Sequence, residues 1–569
     1  MGRPDGWTNG PGAQEAQCPS AVVTLVGDTP EDLAMGAAPS RPVIVGHIDE
    51  PERGAVIDGE GLRVRGWAYG IGSPLSRVDV FLSDHCLGPA GLARPRADVA
   101  EALGEPDAEL SGFELLVGAA SVPEAGDQSV RVVVTLVDGT HESLGPLAVQ
   151  IAPPPDGRPP AVVDQRRGVA HYRTARRRSD DVIRVLWSAR SLDQGGSQLR
   201  MAELVEHLSS DGRFHSTVLS PVEGPLRKVL EASGATVHVG LAVPFDNAAV
   251  YERSVSELRQ WMDGRFDLVV GFTVTSFPAV DVAIRTGLPS VLRIGEAEPL
   301  RTVVAWLFGT LHPAVERQAR STLAGASAVL SNSNAAVAKY RADGYTGNFV
   351  VLGTGVDVEG ARAYRQSSDR QECRRRLGIR TDERFVLCAG TVWSVKGQAL
   401  LVMALDRLHR DQPNLTCALL GNADDRYADA ISSFIRRNGL TDAVRVLPFQ
   451  DDLRPWWRAA DLAVCPSESE ALPAAVLEAM AYGLPALTCK VGDLADLVEP
   501  GVTGWLCEHS DLKALTAALN AAATASPAEL GRMGTAAAHR VRRSFDRREV
   551  LDRSTELLSS VADGGRATS

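Results

Sequence analysis

The chain has 569 residues, of which 44% are hydrophobic, 23% charged and 5% aromatic, and its formal net charge is −12. That length calls for about three or four domains, and the composition is that of a globular protein, not a disordered one. An acidic balance argues against a general nucleic-acid binder, because phosphate affinity needs an excess of cations.

The eight cysteines include no CxxC pair and no Cys/His cluster at zinc spacing, so neither a disulfide framework nor a metal site is expected. Cys388, Cys417, Cys465 and Cys489 fall inside apolar runs and read as buried strand thiols in a reducing, cytoplasmic setting. No stretch approaches the roughly 18–20 apolar residues of a membrane span. The N-terminus also lacks the cationic start and apolar core of a signal peptide.

Residues 1–40 are rich in Gly, Pro, Ala and acidic residues without a period, which predicts a disordered leader. From 41 to 152, short alternating runs such as "LRVRGWAYG", "RVDVFLSD" and "SVRVVVTLVDGT" recur between turn signals, with no helical pattern. They predict a small all-β sandwich. Within it Trp67 and Tyr69 share one strand face, which suits core packing better than a sugar-stacking platform. Residues 153–180 form a Pro/Arg-rich linker carrying Arg166, Arg167, Arg173, Arg176, Arg177 and Arg178. Its stiff first half is expected to hold two bodies apart. Its basic half is expected to be solvated, with peripheral contact to the inner face of the cell membrane as the alternative.

After Asp181 strand-like runs alternate with amphipathic helical ones: "IRVLWSA" precedes "SQLRMAELVEHL", and "RFVLCAGT" precedes "ALLVMALDRLH". Strands without internal polarity alternating with helices imply parallel sheets covered on both faces. A break near Gly353–Gly360 divides this region into doubly wound domains at 181–357 and 358–555, with 556–569 as a tail. Such domains bind ligands beyond the carboxyl ends of their strands, so a cleft between them is the expected site.

"LAVCPSESEALPAAVLEAMAYG" places a carboxylate there. Pro466 ends a buried strand, Ser467 to Leu472 form the loop, and Pro473 suits the first helical turn. Glu470 then lies in the cleft and Glu478 about a turn and a half into the helix. A helix N-terminus suits a phosphate, and carboxylates on either side suit sugar and ribose hydroxyls. On spacing alone, a capping Glu470 and a solvated Glu478 explain the pattern more simply.

The same block, through Pro466, Ser467, Glu470, Pro473, Glu478, Gly483, Pro485, Gly492, Gly501 and Gly504, closely resembles the Glu-x7-Glu region of the family-4 retaining glycosyltransferases of GT-B fold. "AGTVWSVKGQ" resembles the opening of that family's C-terminal domain, with Gly390, Lys396 and Gly397 at its spacing. "LDQGGSQLRMAEL" resembles its N-terminal glycine pair, Gly195 and Gly196, and "VVLGTGVDVEG" its interdomain hinge, with Thr354 in place of asparagine. The resemblance covers about 181–555, and the first domain is loosely similar to β-domains appended to some bacterial glycosyltransferases.

The resemblance implies transfer of a sugar from a nucleoside diphosphate sugar to a sugar, lipid-linked or other hydroxyl acceptor with retained configuration, in glycan or glycoconjugate biosynthesis. It makes Glu470 and Lys396 the catalytic pair. It gives donor binding to Glu478, Lys396, Gly195, Gly196, Gly390, Leu472 and Pro473. No cofactor and no metal are expected, because cations and helix dipoles can stabilise the leaving diphosphate; "DDRYAD" at 424–429 reads as a loop and helix start.

Three positions depart from the family pattern. Thr391 replaces an arginine that pairs with the lysine, with Arg426 as a substitute. Gly295 replaces a histidine near the reacting sugar, with Arg293 and Glu296 beside it. Ala471 replaces the glycine after Glu470. They keep two alternatives open: a catalytically silent sugar- or partner-binding protein, and a sugar-nucleotide epimerase. Nothing in the sequence indicates an oligomeric state.

Overall fold

The computed structural model describes residues 43–152, except 58–60, 119–120 and 123–124, together with 182–564. The expected leader (1–40) and the Pro/Arg-rich linker with its basic run (153–180) lie outside the described residues.

In the first body burial alternates along the chain. Ser76, Val78, Val80 and Leu82 point inward from the strand Leu75–Leu82, and Val130, Val132, Val134 and Leu136 from Gly126–Leu136. That is the period of strands covered on one face. A four-stranded sheet runs in the order Val43–Glu50, Gly61–Ile71, Gly112–Gly118, Gly91–Arg94. A five-stranded sheet, Val56–Ile57, His141–Ile151, Gly126–Leu136, Leu75–Leu82, His85–Pro89, accompanies it. Trp67 is buried with Val43, Val45 and Val99, and Tyr69 packs against the same cluster, so these rings build core. Two short elements depart from the all-β expectation, and one of them is the 3-10 helix Pro106–Leu110. The other, Ala97–Leu103, is an α-helix, ended by Gly104 in the left-handed conformation at φ 66°. It buries only Val99, too short a stripe to register as a period.

The remaining chain builds two parallel, doubly wound sheets. In the first, strand order is Thr236–Val239, Phe214–Ser220, Ile183–Ser188, Leu268–Gly271, Ser290–Ile294, Ala328–Ser331, Phe349–Val351. In the second it is Val444–Leu447, Leu415–Leu420, Arg384–Ala389, Leu462–Cys465, Ala486–Cys489, Gly504–Cys507. Leu415–Leu420 is buried at every position, as a strand covered on both faces must be. The earliest strand of each sheet lies inside it, so the winding direction reverses there and the following loops splay apart, leaving a crevice.

The chain crosses between the two sheets twice, at neighbouring points. Val356 donates its amide to Phe545 and accepts from the amide of Arg547, at 2.9 and 3.0 Å. A Cβ on Gly355 would stand 2.6 Å from the Arg547 Cα, so glycine permits this contact. The last helix, Arg547–Ala562, runs past residue 555, where a tail was expected. Leu558, Val561 and Ala562 enter the core of the first α/β sheet beside Met201, Val205 and Val270, and this apolar seat keeps the helix going.

The β-sandwich is not held apart from the rest. Its apolar cluster is continuous with that of the second α/β sheet. Ser76 donates to Asp511 at 3.0 Å, and Arg437 reaches Glu109 at 2.9 Å. Linker composition reports chain stiffness but says nothing about the faces at either end.

Leu558→Ala should lower unfolding free energy by about 2–5 kcal/mol, measured by urea denaturation, whereas Arg553→Ala on the exposed side of the same helix should change it by less than about 0.5 kcal/mol.

Candidate functional site

Strands Arg384–Ala389 and Leu462–Cys465 are partners across the reversal point of the second sheet, with Val386 opposite Leu462 and Leu387 opposite Ala463. Their outgoing loops carry the candidate residues. Gly390 follows the first strand at φ 146°, and a Cβ there would meet nothing within 4 Å, so its backbone borders open space. Next comes the turn Ser394–Lys396, closed by Gly397 at φ 71°, where a Cβ would fall 2.2 Å from the Pro466 carbonyl oxygen. Only glycine combines that backbone with that proximity, and the two loops therefore touch. Glu468 adds an amide hydrogen bond to the Val395 carbonyl at 2.9 Å. From the far side Gly492, at φ 52°, lies so close to the Glu470 carbonyl that a Cβ would stand 1.9 Å from it.

This packing joins Lys396 to Glu470. The ammonium Nζ donates to Glu470 Oε1 at 2.6 Å, and Ser467 Oγ donates to the same oxygen at 3.0 Å. Burial disfavours the Lys396 charge, but Glu470 more than offsets it and holds the lysine above its ordinary value. Leu472 and Pro473 complete the loop. The Leu472 carbonyl accepts from Asn332 Nδ2 at 3.3 Å, and Pro473 is the N-cap of Ala474–Ala481, one residue before the first helical turn where it was expected.

Glu478 faces the other lobe. Its Oε1 lies 3.5 Å from the guanidinium of Arg200, which also binds Glu203 Oε2 and the Gly355 carbonyl at 2.9 and 3.2 Å. Arg200 stands one turn into the helix Gly196–Asp211, whose N-cap is Gly195, so the glycine-pair helix and the Glu-x7-Glu helix meet through this arginine. Burial pushes the Glu478 carboxyl above its ordinary range, and Arg200 offsets part of that rise. Gly196 borders open space, whereas a Cβ on Gly195 would come 2.6 Å from Gln198 Oε1.

Further contacts close the cleft. The Asp493 carboxylate accepts from Ser333 Oγ and from the amides of Asn334 and Ala335, each at 2.9 Å. It caps the helix Asn334–Ala342 of the opposite lobe. Ser469 donates to Glu298 at 2.8 Å, and Trp306 meets Trp393 edge to face at 5.7 Å.

At the departures, Thr391 is exposed and its carbonyl accepts from Gln398, while Arg426 is exposed in the first turn of Asp425–Arg437. That helix is capped by Asp424, in keeping with "DDRYAD" as a helix start. A Cβ on Gly295 would lie 3.3 Å from both Arg293 Nη1 and Ser197 Oγ. Arg293 stacks over Phe272 at 4.5 Å and burial lowers its pKa to about 10; Glu296 accepts from the amides of Val274 and Gly295. Thr354 is buried and accepts from Asn332 Nδ2 at 3.0 Å. Among the described residues, no group of three His, Cys, Asp or Glu side chains is placed to hold a metal, and no helix is long and apolar enough to cross a membrane.

Two family profiles match the two α/β regions: "Glycosyl transferase 4-like domain" over residues 195–355 and "Glycosyl transferases group 1" over 369–540. The chain belongs to the group 1 glycosyl transferases. Among curated relatives of this family, D-inositol 3-phosphate glycosyltransferase 1 of Catenulispora acidiphila is 33% identical over 221 residues, 37% of this chain and 51% of that protein. The D-inositol 3-phosphate glycosyltransferase of Streptomyces scabiei is 27% identical over 372 residues, 61% of this chain and 82% of that protein. In the first of these matches the chain spans about half the length of its relative. The solved structure of Anabaena HepE in complex with UDP and glucose superposes with a TM-score of 0.57 at 22% identity, covering 66% of this chain and all of that one. Sucrose-phosphate synthase from Thermosynechococcus elongatus gives 0.56 at 19% identity, covering 67% and 100%. The fold is therefore that of the GT-B glycosyltransferases, two Rossmann-like domains facing across a cleft, preceded here by the β-sandwich.

Arg200, Asp493, Asn332 and Ser469 were missed in the sequence of this group 1 glycosyl transferase. Arg200 carries a signal, four residues after Gly196 and so on the same face of that helix. The other three act across a contact between distant segments, which no local spacing encodes.

Asp493→Ala should lower stability by about 1–2 kcal/mol and enlarge the radius of gyration, read by thermal unfolding and small-angle scattering. For Glu478 the sign follows from its raised native pKa. Above about pH 4.5 the unfolded chain has released a proton that the native carboxyl still holds, so this group lowers stability as pH rises. The melting temperature of Glu478→Gln minus that of wild type should therefore grow between pH 4.5 and 7.5.

Proposed function

We propose that the protein is a retaining glycosyltransferase that moves a sugar from a nucleoside diphosphate sugar to a hydroxyl acceptor in glycan or glycoconjugate biosynthesis. The observation that carries this reading is the Lys396–Glu470 pair at the reversal point of the second sheet, 2.6 Å apart and facing the cleft. Membership of the group 1 family and the UDP and glucose in the HepE complex support it.

In this reading the donor diphosphate takes the Lys396 ammonium in place of Glu470, and the freed carboxylate accepts hydrogen bonds from sugar hydroxyls. Glu478 turns from Arg200 to the paired hydroxyls of the ribose. The backbone of Gly390, Gly195 and Gly196 gives the phosphates room, and Leu472 and Pro473 line the sugar. The anomeric carbon–oxygen bond breaks toward the diphosphate while the acceptor oxygen attacks from the same face, its proton passing to the leaving phosphate. Such chemistry asks for positioning and charge stabilisation, which Lys396 and Arg200 supply in a metal-independent scheme. We place the activity in the cytoplasm, with the basic run 166–178 solvated and its contact with the inner face of the cell membrane as the alternative.

Thr391 and Gly295 favour a second reading, a sugar-nucleotide binder without turnover, because Thr391 lacks the cation, and Gly295 the side chain, that the family has at those places. A thermal-shift screen of UDP-, GDP-, ADP- and dTDP-sugars identifies the donor, since ligand at 100 times its Kd stabilises by about 2.7 kcal/mol. With that donor and an acceptor panel, Glu470→Ala and Lys396→Ala should each lower kcat/KM by about 100-fold or more with the fold intact. Donor binding without transfer in the wild type selects the second reading, and product formed without any acceptor selects an epimerase.

A further inference from the structure

The β-sandwich meets the donor loops at its strand Gly91–Arg94. This strand is broken by a bulge between the pairs Gly91–Glu114 and Arg94–Gly112, and within the bulge Ala93 is held at φ 57°, a left-handed conformation unusual for a non-glycine residue. Bulges re-aim the side chains that follow them, and here Arg94 is turned out of its own sheet. Its Nη2 and Nη1 grip Glu468 Oε2 and Oε1 at 2.6 and 3.0 Å, and Nη1 also donates to the carbonyls of Leu92 at 3.0 Å and Ser394 at 3.4 Å. Glu468 stands two residues before Glu470, and Ser394 two before Lys396. One guanidinium thus fastens the loop that carries the carboxylate to the turn that carries the ammonium.

The contact is built and largely shut off from water, with side-chain exposures of 15% for Arg94 and 10% for Glu468. A Cβ on Gly91 would stand 2.1 Å from Glu468 Oε2 and 2.3 Å from Arg94 Nη2, so glycine is needed for the approach. Burial disfavours the Arg94 charge, and Glu468 with Glu114 overcomes that effect. Other docking contacts, among them Ser76 with Asp511, Arg437 with Glu109 and Gly118 against Asp343 of the first α/β domain, lie away from these loops.

We propose that Arg94 is a positioning residue for the donor site, and that the β-sandwich, through it, sets the spacing of Lys396 and Glu470. This rests on the donor-site reading of those two residues. It makes the appended domain part of the site and not an independent binding module.

The test uses the full-length chain, UDP as the probe ligand, and hydrogen–deuterium exchange over 391–397 and 466–472. Arg94→Ala should speed exchange in both segments and raise the Kd for UDP by about tenfold. The exchanged pair Arg94→Glu with Glu468→Arg should restore affinity to within about threefold of wild type, a rescue that general loss of stability does not produce. Arg437→Ala, which weakens docking elsewhere, should leave exchange and affinity in these segments unchanged. If Arg94→Ala does not fold, Arg94→Lys decides in the same way, because it keeps the charge and loses the two-pronged grip. Unchanged exchange and unchanged affinity overturn the proposal, as does an Arg437→Ala effect equal to that of Arg94→Ala. If the wild type binds neither UDP nor any screened nucleotide sugar, the donor-site reading fails on its own, and the exchange result alone decides whether Arg94 holds the loops.

Discussion

The Lys396 ammonium and the Glu470 carboxylate meet only because two loops from opposite sides of a strand crossover are pressed together, and much of the surrounding structure maintains that pressure. Gly397 lets one loop rest on the Pro466 carbonyl, and Gly492 lets the other be backed at Glu470. The Glu468 amide ties them edge to edge. The two glycine contacts are backbone approaches that a single methyl group would prevent. The resulting ion pair is partly screened from water, where unpaired charges are expensive and paired ones are held in fixed geometry. A lone buried lysine tends to lose its proton, and pairing with Glu470 keeps Lys396 charged.

The cleft is organised by the same logic at larger scale. Arg200 stands between Glu203 and Glu478, Asp493 sits on the helix that begins at Asn334, and Ser469 reaches Glu298. Every one of these contacts is polar and most pair opposite charges or a charge with a helix end. Such contacts can be exchanged for those of a charged ligand with little net change in hydrogen bonding, whereas a greasy interface could open only by exposing apolar area. Apolar packing occurs at the Trp306–Trp393 contact and at joints such as the helix Arg547–Ala562 against the first sheet.

Much of this was legible in the chain because the relevant signals are local. The alternation of apolar runs with helical stripes gives the two wound sheets, and Pro466 with Pro473 brackets the loop that bears Glu470. The family motifs then supply Lys396 and the glycine pair. What escaped notice was of two kinds. The helix Ala97–Leu103 was too short to show a period, and the end of the last helix depended on the apolar seat that Leu558 finds in another domain. The contacts of Asp493, Asn332 and Arg94 join segments well over a hundred residues apart, and spacing rules reach only a few turns. The β-sandwich was recognisable as a domain, but composition could not reveal that its face is complementary to another.

The paired crossings at Val356 and Arg547 limit how the two lobes can move. Two chain segments hydrogen-bonded side by side act as a piano hinge: they permit rotation about the line they define and resist both sliding and twisting. With one axis available, the contacts of Arg200, Asp493 and Ser469 lie on the same opening door and must part together.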